Sequence, residues 1–322
     1  MPSTLTSSPP RAGQKGNAAK GRSLIDPQTL MSIKSLEFRA RVVVEGFWHG
    51  LHRSPYHGFS VEFSEYRQYS PGDDTRYIDW RLYARSDRHY IKKFEDETNL
   101  RCHLVVDQSR SMTYGSVGYT KSQYANTLAA TLAYFLNLQG DAVGLLTFDD
   151  QIRGYLPARN RPGHLRQLML NLEEPATGPS TDLAVPLHRI ARTVKKRALL
   201  VMISDLLGPI GTLEKDLTAL TACGHEVMLF HLLDPAELTF KFDKPITFQD
   251  VESGRRLFVD PGAARKDYLK QLGDHNATIQ SACQRLGIGY SRLATDRPLE
   301  LALFDFLRER MGRGKRVKRR VS

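Results

Sequence analysis

From residue 100 onward the chain alternates short apolar runs with longer stretches whose apolar positions recur every three or four residues. Leu100 to Val106, Ala142 to Phe148, Ala198 to Ile203, Val227 to Leu232 and Gly289 to Leu293 read as buried strands, with a short further strand at Gln151 to Leu156. Helical periodicity covers Lys121 to Leu138, with Tyr124, Leu128, Leu132, Phe135 and Leu136 facing inward. It returns at Gly163 to Leu172, Leu183 to Val194, Leu213 to Cys223, Ala263 to Leu286 and Leu299 to Arg310. Strands alternating with helices of this length predict an α/β fold, a doubly wound, mainly parallel sheet covered on both faces. After Asp234-Pro235 the rhythm breaks into a hairpin, Ile246 to Val251 and Arg256 to Val259 around a turn at Ser253-Gly254.

The first part of the chain follows other rules. Residues 1–25 are rich in Ser, Pro, Gly, Ala and Lys without apolar periodicity and read as a disordered tail. A helix is expected from Asp26 as N-cap and Pro27 at the first helical position to about Glu45-Gly46, with Leu30, Ile33, Leu36 and Val43 near one face. Residues 47–99 are aromatic and densely charged: Phe59 to Phe63 alternates like a strand, and Ser70-Pro71-Gly72-Asp73 has the composition of a type II turn. A short helix through Tyr77, Ile78 and Leu82 and a strand near Tyr90 to Phe94 follow. The expected organisation is a tail (1–25), an N-terminal helix and small β-containing subdomain (26–99), the main domain (100–310) with the hairpin inserted near 236–262, and a basic tail (311–322).

Charge alters this picture less than its total suggests. The formal charge of +11 resides almost wholly in Arg11, Lys15, Lys20 and Arg22 and in the six Lys and Arg residues from Arg313 to Arg320, which leaves the body near +1. Nucleic-acid or membrane-surface binding is therefore expected only through the C-terminal tail. Tyr and Arg interleave between Tyr66 and Arg85, a pattern able to stack on single strands, but Glu62, Glu65, Asp73, Asp74, Asp79 and Asp87 among them would repel a phosphate backbone. No apolar run approaches the ~18 residues of a membrane span. The N-terminus has no apolar signal segment, and Cys102, Cys223 and Cys283 are far apart and odd in number. A reducing, cytoplasmic setting is the expectation.

The candidate chemistry lies where the first core strand stops. Leu104-Val105-Val106 runs into Asp107-Gln108-Ser109-Arg110-Ser111, and residues just beyond a parallel strand face the crevice where open α/β sheets bind ligands. Ile203 leads likewise into Ser204-Asp205, and Thr181 stands in the loop before the helix at Leu183. Asp107, Ser109, Ser111, Thr181 and Asp205 together offer two carboxylates and three hydroxyls, a set suited to Mg²⁺ or another hard divalent ion such as Mn²⁺ or Ca²⁺. Each residue also has a plain structural use, since Asp, Ser and Thr cap helices and turns.

These three loops resemble the metal-ion-dependent adhesion site of von Willebrand factor A domains. Gly58 to Phe63, the run from Tyr69 through Pro71-Gly72-Asp73-Asp74 to Ile78-Asp79-Trp80, Ala84-Arg85 and Lys93-Phe94 are similar to the signature of the bacterial family called domain of unknown function 58. The resemblance spans about residues 30–294. It implies a von Willebrand factor A-like, Rossmannoid core without catalytic activity, and a MoxR-type AAA+ ATPase as partner in chaperone-like or assembly work. Recognition would then run through an Asp or Glu of a partner protein, completing the ion's coordination. The main alternative is an ATPase, since Gly115-Ser-Val-Gly-Tyr-Thr120-Lys121-Ser122 is one residue short of a phosphate loop, but Thr120 stands where that loop needs a glycine.

Overall fold

The computed structural model describes residues 24–52, 65–68, 90–93, 100–175, 184–207, 210–242, 244, 246–249 and 256–318. The expected strand at Phe59 to Phe63, the turn at residues 70–73, the helix through Tyr77, the hairpin turn at Ser253-Gly254 and both chain ends lie outside them.

Six strands form the central sheet: β3 (Arg101–Asp107), β4 (Ala142–Phe148), β5 (Ile152–Arg159), β6 (Leu199–Ser204), β7 (Glu226–Leu233) and β10 (Gly289–Ala294). Their order across the sheet is β10-β7-β6-β3-β4-β5, every pair parallel except β4 with β5. The antiparallel edge strand follows from its short connection, since a parallel return needs a crossover of a dozen or more residues. Among the described residues two small antiparallel pairs complete the strands: β1 (Glu65–Gln68) with β2 (Tyr90–Lys93), and β8 (Ile246–Gln249) with β9 (Arg256–Val259).

Helices cover both faces. On one lie α2 (Leu36–His52), α3 (Lys121–Leu138), α4 (His164–Leu172) and α9 (Leu299–Lys318), around a core that includes Leu104, Val106, Leu128, Leu132 and Phe135. On the other lie α5 (Ala184–Thr193), α6 (Ile210–Ala222) and α8 (Pro261–Leu286), around Val105, Leu200, Met202 and Leu217. Successive residues of β3 thus feed opposite cores, the signature of a strand buried on both sides. Among the described residues no helix is long and apolar enough to cross a membrane.

Two helix boundaries depart from the periodicity. The single helix expected from Pro27 to about Gly46 is two, α1 (Pro27–Met31) and α2. Ser32 Oγ donates to the Thr29 carbonyl oxygen at 2.7 Å and ends the first, while Ser35 Oγ accepts from Phe38 N at 3.2 Å and starts the second. The last helix runs past Arg310 to Lys318, into the stretch read as a basic tail.

Candidate functional site

The sheet order places a topological switch between β3 and β6, because the chain leaves β3 toward β4 on one side and leaves β6 toward β7 on the other. Crevices of this kind, outside the carboxyl ends of the strands, are where open α/β sheets bind ligands. Val106 pairs with Ile203, so Asp107 and Ser204 end their strands level with each other, and Asp205 comes one residue later.

The polar side chains here are locked together. Asp107 is fully buried; its Oδ1 accepts from Ser109 N at 2.9 Å and its Oδ2 from Ser204 Oγ at 2.6 Å. Ser109 Oγ and Ser111 Oγ are 3.0 Å apart, at the start of a single 3₁₀ turn over Arg110–Thr113. Burial, followed by the nearby Asp205 charge, pushes the Asp107 carboxyl up to about 7, against the pull of its Ser204 and Ser109 hydrogen bonds. Two carboxylates so crowded in low dielectric repel, and a cation relieves that repulsion.

Asp205 is fully buried and already has a cation. Lys121 Nζ donates to Asp205 Oδ2 at 2.8 Å and to Glu237 Oε1 at 2.7 Å, with the lysine side chain only 1% exposed. Burial works against the ammonium charge, but Asp205 and Glu237 outweigh it and hold the pKa above the ordinary lysine value. The lysine is presented by a tight loop: Lys121 N donates to the Tyr114 carbonyl oxygen at 2.8 Å, and a Cβ at Gly115 would stand 1.9 Å from the Tyr119 carbonyl oxygen. Only glycine fits there. Ser116 anchors the same loop, its N donating to Asp234 Oδ2 at 2.8 Å and its hydroxyl to Asp234 Oδ1. Asp234 in turn caps α7 (Pro235–Thr239), the short helix that carries Glu237.

The backbone beyond Asp205 is strained. Leu206 is buried with φ 50°, a left-handed conformation that costs a leucine roughly 1–2 kcal/mol. Its N–H donates to Ser204 Oγ at 3.0 Å, and its carbonyl oxygen lies 2.9 Å from His275 Nε2. Behind it His231, with Nδ1 2.9 Å from the Tyr290 hydroxyl, is pushed down to about 4 by burial and remains neutral. Backbone strain concentrates at functional sites because only an over-determined surrounding holds it.

Four of the five residues singled out in the sequence, Asp107, Ser109, Ser111 and Asp205, therefore stand at the ends of neighbouring strands β3 and β6, while Thr181 lies outside the described residues. Among the described residues no three His, Cys, Asp or Glu side chains gather as metal ligands. The donors are two carboxylates and the Ser109 and Ser111 hydroxyls, all oxygen, which fits a hard divalent ion. The sequence pattern assigned no role to Ser204 or Glu237, and placed Lys121 only in the phosphate-loop alternative. Lys121 had a visible signal: it heads the stripe Lys121, Tyr124, Leu128, Leu132, a charge on an otherwise apolar helix face. In the phosphate-loop reading its ammonium would turn to phosphate; here it rests on two carboxylates.

A family model described as a protein of unknown function, DUF58, matches residues 65–278. The chain belongs to this family. The uncharacterized protein Rv1480 of Mycobacterium tuberculosis (strain ATCC 25618 / H37Rv) is 31% identical to this DUF58 chain over 278 residues, 84% of this chain and 86% of that protein. The uncharacterized protein Mb1516 of Mycobacterium bovis matches to the same extent. Among solved structures, the conserved hypothetical protein BatB from Bacteroides thetaiotaomicron is similar at 14% identity and a TM-score of 0.46, over 66% of this chain and 99% of that one. The SpRpn10 VWA domain is similar at 14% identity and a TM-score of 0.33, over 42% of this chain and 76% of its own. The fold of this DUF58 protein is α/β, a mainly parallel sheet between two helical layers with one antiparallel edge strand.

Proposed function

We propose that this DUF58 protein is a non-enzymatic protein-interaction module that binds a partner's Asp or Glu through a divalent metal, with a MoxR-type AAA+ ATPase as that partner and the cytoplasm as its setting. The observation that carries the reading is the pair of fully buried carboxylates, Asp107 and Asp205, at the β3–β6 switch point beside the Ser109 and Ser111 hydroxyls. Asp107, Ser109, Ser111, Thr181 and Asp205 would hold Mg²⁺, with Mn²⁺ or Ca²⁺ as substitutes. When bound, the ion supplies an electrophilic centre with a coordination position for an outside carboxylate.

The chain's own residues do the rest. Ser204 and Ser109 N hold the Asp107 carboxylate in one orientation. Lys121 neutralises part of the charge at Asp205, and fewer net negative ligands leave a cation more attractive to an incoming acid. Recognition of one carboxylate through a metal makes binding strictly dependent on both.

Titrating the full chain with Mn²⁺, followed by electron paramagnetic resonance, tests the metal. Purified MoxR-type ATPase from the same organism, retained on the immobilised chain in Mg²⁺ and released in EDTA, tests the partner. Asp107→Ala should abolish both signals while leaving the circular dichroism spectrum unchanged. Retention of the ATPase in EDTA, or absence of Mn²⁺ binding by the unaltered chain at millimolar ion, would overturn the reading.

A further inference from the structure

Lys121 stands where helix energetics disfavour it. It is the first residue of α3, at the positive end of the helix dipole, where a cation is unfavourable, and its side chain is 1% exposed, so its ammonium has been taken out of water. Neither helix stability nor solubility accounts for it. What it touches does: Asp205 Oδ2 at 2.8 Å on one side and Glu237 Oε1 at 2.7 Å on the other. Asp205 is wholly buried and Glu237 is 17% exposed, so the two anchors are unequal. Two carboxylates, Asp205 and Glu237, thus share this single ammonium.

We propose that Lys121 is a resident counter-cation of the metal position: its ammonium occupies Asp205 in competition with a divalent ion, and Glu237 sets the strength of that competition by drawing the ammonium away. The inference rests on the metal-binding reading above. Lys121 is a positioning residue, acting on the ion only through Asp205. Since Glu237 belongs to α7, which Asp234 and Ser116 tie to the loop presenting Lys121, the competition also links the metal position to α7.

Two substitutions in the full chain separate this role from a merely structural one. Lys121→Met keeps the volume of the stem and removes the charge, so Mn²⁺ affinity should rise about tenfold or more once a like charge within a few ångströms is gone. Glu237→Gln leaves the whole ammonium on Asp205, so affinity should fall several-fold. A purely structural ion pair would destabilise both variants and weaken binding in both, never in opposite directions. Affinity is read by Mn²⁺ resonance and calorimetry, with circular dichroism establishing folding. If Lys121→Met does not fold, Glu237→Gln decides: weaker binding supports the proposal, and unchanged or tighter binding overturns it. If the unaltered chain binds Mn²⁺, loses it in Asp107→Ala and yet Lys121→Met binds no tighter, the counter-cation role is wrong and the metal reading stands. If the unaltered chain binds no Mn²⁺, both fall together.

Discussion

The middles and the ends of strands β3 and β6 are equally buried and energetically opposite. Leu104, Val106, Val201 and Ile203 are at most 1% exposed, and so are Asp107, Ser204 and Asp205 a residue or two further on. In the middle, burial is itself favourable, because apolar surface leaves water. At the ends the same burial opposes the charged form, and the site persists through Ser204, the Ser109 amide and the Lys121 ammonium. The fold thus keeps a region at the sheet edge that its core must hold in place.

This contrast can be broken from the core side first. Leu128→Ala removes a fully buried side chain on the sheet-facing side of α3 and should cost about 2–5 kcal/mol in urea unfolding, the usual range for such a cavity. Mn²⁺ affinity should be unchanged, and an altered affinity would show that core and site are not separable. The next effect comes from a titratable group inside a strand. Burial, with His225 and Arg101 adding to it, pushes His103 in β3 down to about 4, below the ordinary value of 6.5. A group depressed in the folded state binds fewer protons there than in the unfolded chain, so its contribution is complete above pH 6.5 and shrinks as pH falls toward 4. Between pH 7.5 and 5 the loss should be roughly 2 kcal/mol for each such histidine. His231, also pushed down to about 4, adds a loss of the same sign while the raised Asp107 carboxyl works the opposite way, so His103→Gln should lessen the loss between pH 7.5 and 5 by roughly 2 kcal/mol relative to the unaltered chain. A slope unchanged in the variant would assign it elsewhere. The smallest effect is expected at the surface, where Arg285 makes a bidentate pair with Glu214 at 2.9 Å and both side chains are well exposed. Glu214→Ala should shift stability by less than ~1 kcal/mol, with the loss diminishing in salt. A larger loss would undo the distinction between this pair and the buried one at Lys121.

Much of this architecture was legible along the chain. Helix α3 spans Lys121–Leu138 and β4 spans Ala142–Phe148, as the apolar pattern predicts, because strands and helices buried on one or both faces must write their period into the residues. The break between α1 and α2 was not legible, since Leu30 and Leu36 suit one continuous face while two serines compete locally for the backbone. Asp107 and Asp205 were visible for a simple reason: each follows an apolar strand immediately, and strand ends in a parallel sheet share one edge.

The order of the strands, and so the switch point between β3 and β6, was decided only by the tertiary fold, as was the meeting of Lys121 with Asp205, 84 residues away, and with Glu237, 116 residues away. Local sequence determines which stretches must be buried, because periodicity and burial are properties of a segment. Which charge neutralises which is a property of distance, and distances between remote segments exist only once the sheet has assembled.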